Sequence, residues 1–90
     1  MLENIIGKPI SVDLSNHLRT YIGTDDRASI SEVAKVHINT VNNIVYRKTN
    51  MTKDNLKVLI ELIKTATNNC NLKINQSKKS KKELEKYLND

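Results

Sequence analysis

Residues 28–44 read ASISEVAKVHINTVNNI, and the spacing of their apolar side chains decides the fold. Ile30, Val33 and Ala34 recur at i, i+3 and i+4, the pattern of one helix face. Val36 interrupts that pattern, and Val41, Ile44 and Val45 restart it in a new phase, so two short helices are expected to meet at a tight turn. The second helix, expected from about Ile38 to Arg47, turns His37, Ile38, Asn39, Asn42, Asn43 and Tyr46 outward. Two helices joined in this way can lay the second in a DNA major groove. An Asn-rich outer face suits the reading of base edges.

Outward from this stretch, the same periodicity predicts two further helices. Leu14, Leu18, Tyr21 and Ile22 form a stripe over about Asp13 to Ile22, with Ser11 or Asp13 as its cap, Pro9 before it and Gly23 as its stop. Thr24, Asp25 and Asp26 make a polar connection, in which an Asp caps the helix expected from about Arg27 to Lys35. After the loop Lys48 to Met51, Thr52 is a good cap for a long helix lined by Leu56, Leu59, Ile60, Ile63 and Ala66. The pattern fades through Thr67, Asn68, Asn69 and Cys70, where the domain is expected to end. Beyond it lie NLKIN, which alternates as a short strand would, the basic run QSKKSKK, and KELEKYLND, whose Leu84, Tyr87 and Leu88 can share one side of a last helix. The expected organisation is an N-terminal arm at 1–10, its first eight residues loosely held, a domain at 11–70 and a basic tail at 71–90. The fold class is all-α, a small bundle of four to five helices.

Composition narrows the function. A chain of 90 residues without Phe or Trp and with three Tyr must build a small core from Ile, Leu and Val. Cys70 is the single cysteine, and no Cys and His set has metal-ligand spacing, so neither an internal disulfide nor a metal is expected. No segment approaches the roughly 18 apolar residues of a membrane span, and the opening MLENIIGKP has no leader character, which favours a cytoplasmic location. The formal charge is +5 and unevenly distributed: residues 1–26 carry −2, residues 27–67 carry +4 and residues 68–90 carry +3. Positive charge therefore gathers on the paired helices and the tail, as a polyanion-binding surface requires. No nucleophile arrangement, phosphate-binding Gly loop or paired carboxylates point to an enzyme, and no cofactor or small-molecule substrate is expected.

Ile30 to Lys57 resembles the Cro/Xre and lac-repressor type of helix-turn-helix. Ile30 and Ala34 match the buried positions of the first motif helix, Val36 the apolar turn residue, and Val41 and Ile44 the core positions of the recognition helix. Ser31 stands where the family prefers a small residue, and KTNMTKDNLKVLIELIKTA is similar to the loop and following helix of phage repressors. Lys35 departs from the pattern, because the family usually places Gly there to take a left-handed turn conformation. An alternative register, with Ile38 in the turn, leaves His37 and Asn39 at apolar positions and is less favourable.

The resemblance implies a lambda-repressor-like fold, a homodimer on double-stranded DNA, and a sequence-specific regulator of phage or bacterial type, usually a repressor. On this reading His37, Ile38, Asn39, Asn42 and Asn43 face the bases, with Asn suited to bidentate pairing with adenine. Arg27, Tyr46, Arg47, Lys48 and Lys53 face phosphates, and Lys78, Lys79, Lys81 and Lys82 form either a DNA-following arm or a solvated tail. Two other classes compete: a protein-interaction module, such as an antirepressor or a virus-particle component, and a nonspecific DNA-packaging protein.

Overall fold

The computed structural model describes residues 2–89, so Met1 and Asp90, at the ends of the expected arm and tail, lie outside the described residues. The regular structure among those residues is all-α. A 3-10 turn, Leu2–Ile5, precedes α1 (Val12–Tyr21), α2 (Thr24–Ala34), α3 (Ile38–Val45) and α4 (Lys53–Leu88). Ser11 caps α1 by accepting the Leu14 N–H at 3.0 Å, and Thr52 caps α4 by accepting the Asn55 N–H at 3.1 Å. α2 begins three residues earlier than the pattern predicts. Its N-cap is Gly23, whose N–H donates to the Asp26 carboxylate at 3.0 Å. With φ at −88° Gly23 is no left-handed stop for α1, whose end is marked instead by extended Ile22.

The core gathers one face of each helix. Leu18 of α1, Ile22 just past its end, Ile30 of α2, Val41, Ile44 and Val45 of α3, and Val58, Leu59 and Leu62 of α4 are all buried, together with Ile10 and Met51. Val33 is the exception to the expected stripe, being 71% exposed. On a helix it lies about 60° to one side of Ile30 while Ala34 lies about 40° to the other, and α2 leans on α3 and α4 through the Ile30 and Ala34 side. Among the described residues one polar residue is buried with this core. Ser15 is buried and its hydroxyl donates to the Val45 carbonyl at 2.6 Å, fastening α1 to the last turn of α3.

Two expectations at the chain ends are corrected. The arm is held rather than loose: Gly7 N–H donates to Met51 O and Met51 N–H to Lys8 O, each at 2.8 Å. Ile5 packs against the core and Ile10 belongs to it. The tail is neither a strand nor a separate helix, because α4 continues unbroken from Lys53 to Leu88. Every Gly and Pro of the sequence precedes residue 24, so nothing in the tail stops a helix once it has started. The polar stretch around Asn69 does not end the helix and acts as a clasp. Asn69 Nδ2 donates to Tyr21 O at 2.8 Å and to Asp26 Oδ2 at 3.1 Å, tying the middle of α4 to the end of α1 and the start of α2. From Asn71 onward every described residue is exposed. At about 1.5 Å per residue a helix of 36 residues is about 54 Å long, which accounts for the longest dimension of 58 Å.

Candidate nucleic-acid interface

α2 and α3 are joined by Lys35, Val36 and His37, and the bend depends on backbone conformation at Lys35. Its φ of 57° and ψ of 46° are left-handed, the conformation expected of Gly at this point. The bend is closed by the Val36 N–H donating to Ser31 O at 3.0 Å. α3 ends with the same device: Arg47 has φ 60°, and the Lys48 N–H donates to Asn43 O at 2.8 Å. A side chain held in this region costs about 1–2 kcal/mol. At Arg47 a second contact offsets that cost, since its Nε donates to Ile10 O at 2.6 Å.

α3 is short and packed on two sides, by α2 and by α1. What remains outward is a narrow stripe, Asn39, Asn43 and Tyr46, all exposed and spaced i, i+4 and i+7. His37 stands exposed at the head of the stripe, but one ring nitrogen is already engaged, since Nδ1 accepts the Asn39 N–H at 3.1 Å and caps the helix. Two residues expected on this face lie elsewhere. Ile38 is half-buried and packs against the core, which leaves less of it free for a thymine methyl. Asn42 sits at the edge of α3, half-buried, with Oδ1 fully enclosed and without a hydrogen-bond partner among the described residues. Both shifts follow from the width of the packed arc, which spans Ile38, Val41, Ile44 and Val45.

The expected phosphate-facing residues also divide. Lys48 and Lys53 are exposed. Arg27 is half-buried against its own helix start, donating to Ile22 O at 3.3 Å and to Thr24 Oγ1 at 3.4 Å. Arg47 remains exposed overall while its Nε is tied to Ile10. Tyr46 is 45% exposed and lies under the guanidinium of Arg19, which stands 5.9 Å from the ring centroid. Arg19 is a cation at this face that sequence reading missed. It lies on α1, outside the paired helices, and also hydrogen-bonds Asn16 and the Ser15 carbonyl. The i, i+4 relation of Arg19 to Ser15 is visible in the sequence, but its distance to Tyr46 is not. Lys35, whose sequence signal concerns its backbone alone, adds an exposed cation at the turn.

The chemistry available here is that of hydrogen bonding and positive charge. The Asn39 and Asn43 carboxamides each offer a donor and an acceptor at the end of a short stem, with Tyr46, Arg19, Arg47 and Lys48 following at the far end of the stripe. Among the described residues no group of His, Cys, Asp and Glu is placed to hold a metal ion, and no helix is long and apolar enough to cross a membrane. Compared with family models, curated proteins and solved structures, the chain matches none.

Proposed function

We propose that this chain is a sequence-specific DNA-binding regulator whose α2, turn and α3 act as a helix-turn-helix, with α3 in the major groove. The observation that carries this reading is the Asn39, Asn43 and Tyr46 stripe: a short helix, anchored by its opposite face, that presents two carboxamides and ends among cations. Asn39 and Asn43 are the base-reading residues, because they alone among the α3 asparagines stand clear of the core. Each carboxamide can pair with the N6 and N7 of an adenine, a contact that discriminates by about 1–3 kcal/mol. His37 holds the helix start and presents the rest of its ring nearby. Arg19, Tyr46, Arg47, Lys48 and Lys53 contact phosphates and set the register without reading sequence. The resemblance to Cro/Xre proteins adds repression and a phage or bacterial setting to the proposal.

The test is selection from a random duplex library at two salt concentrations, with the Asn39→Ala, Asn43→Ala double variant in parallel. The reading expects an enriched motif that the variant no longer prefers, with binding that weakens steeply as salt rises. Binding without enrichment would instead mark a nonspecific packaging protein. Absence of binding would point to a protein partner for the same face.

A further inference from the structure

α4 carries a single stripe along its whole length. Leu59, Ile63 and Ala66 place it in the core, and the same three- and four-residue spacing then continues through Cys70, Ile74, Ser77, Lys81, Leu84 and Leu88. Beyond the end of α1 none of the described residues covers this continuation: Ile74 is 46%, Leu84 64% and Leu88 85% exposed. Where α1 ends, Tyr21 and α4 form an open groove of about 280 Å³, walled by Tyr21, Cys70 and Ile74 and reaching Ser77 and Lys81.

The order of side chains along the stripe selects the occupant. Laid antiparallel on a second α4, with residue 74 opposite 84, the stripe sets Leu84 against Ile74, Leu88 against the small Cys70, and Lys81 against the small Ser77. Leu84 and Ile74 form an apolar layer, Leu88 and Lys81 each lie over a small residue, and the Lys81 stem can cross Ser77 with its ammonium in water. Glu85 then lies on the same flank as Lys78, so the four charges of that flank in a symmetric pair sum to zero. A parallel pair meets like with like: Lys81 faces Lys81 across the seam and Lys73 flanks Lys78, both repulsive.

We infer that the chain pairs with a second copy of itself through an antiparallel crossing of the projecting half of α4, Leu84 and Leu88 of each copy seating in the Tyr21, Cys70 and Ile74 groove of the other. The contact is isologous, so one patch serves both copies and the assembly closes at two. It makes no use of the α3 face and stands or falls separately from DNA binding.

Sedimentation equilibrium of the full chain is the first arm of the test, and a dimer is the expected result. The Leu84→Glu, Leu88→Glu double variant changes only exposed side chains, so it should sediment as a monomer and keep the wild-type helical signal. Orientation is read by oxidation with copper phenanthroline, which takes one electron from each of two thiols and joins them. The Leu88→Cys variant should cross-link Cys70 of one copy to the introduced thiol of the other, as peptide mapping would show. The unsubstituted chain should not cross-link, because antiparallel pairing holds the two Cys70 about 27 Å apart. A monomeric wild type, a dimer indifferent to the double variant, or a ready Cys70 to Cys70 disulfide would each overturn the proposal.

Discussion

The two halves of α4 have similar periodicity and opposite surroundings. In the first, Val58, Leu59 and Leu62 are fully buried against α1 and α2. In the second, from Asn71 onward, apolar side chains on the same stripe stand in solvent. Helical spacing therefore says which residues share a face, but coverage is decided by what else the chain can bring to that face. Here α1 runs out at Tyr21, and the Asn69 clasp marks the last point at which the bundle holds the helix.

The largest expected effect separates the halves by stability. Leu59→Ala removes a fully buried side chain from the centre of the core and should cost about 2–5 kcal/mol, a large part of a small domain's total. Leu72→Ala, on an exposed residue away from the seam, should stay within about 0.5 kcal/mol. Urea unfolding of the two variants measures both numbers. Equal losses would mean that the projecting half is covered in solution by more than the seam proposed above.

The second experiment acts on the backbone. Asn75→Pro removes a helical N–H and clashes with the preceding turn, a local penalty of about 3 kcal/mol. Because Asn75 lies nearly two turns past the clasp, hydrogen exchange should quicken around it while the amides of Val58 to Leu62 keep their protection. Accelerated exchange in both halves would show that α4 opens as one cooperative unit.

This division also explains what can be read from the sequence. Ile30, Val41, Ile44 and Leu59 are legible as core because local spacing alone places them on packed faces. Ile10, Ser15 and Asn69 are not, since their roles rest on partners far along the chain: Arg47 binds the Ile10 carbonyl, Val45 receives the Ser15 hydroxyl, and Tyr21 receives the Asn69 amide. The tail reads as strand and separate helix because Leu72 and Ile74 alternate. On a continuous helix those two residues point to nearly opposite sides, and alternation over three residues carries little weight without a turn to bound it. At the candidate interface, the outward placement of Asn39 and Asn43 follows from phase alone. Ile38 and Asn42 lie on the borders of the packed arc, where a shift of one helix against another decides exposure.

The smallest expected effect lies where the two halves join. Tyr21, partly exposed at the end of α1, stands beside Cys70, and hydrogen bonding with that side chain, followed by repulsion between the anionic forms of the two groups and slight desolvation, raises the phenol above its ordinary value near 10.0. The folded chain thus holds this proton more tightly than the unfolded chain does. By linkage the contribution to stability is present below the unfolded value and is lost as pH rises through the folded one. Cys70→Ala should return Tyr21 toward the ordinary tyrosine range, read as an earlier phenolate absorbance in a difference titration against the unsubstituted chain. An unchanged Tyr21 would mean that the junction is looser than the clasp implies, with the two halves of α4 already uncoupled at Cys70.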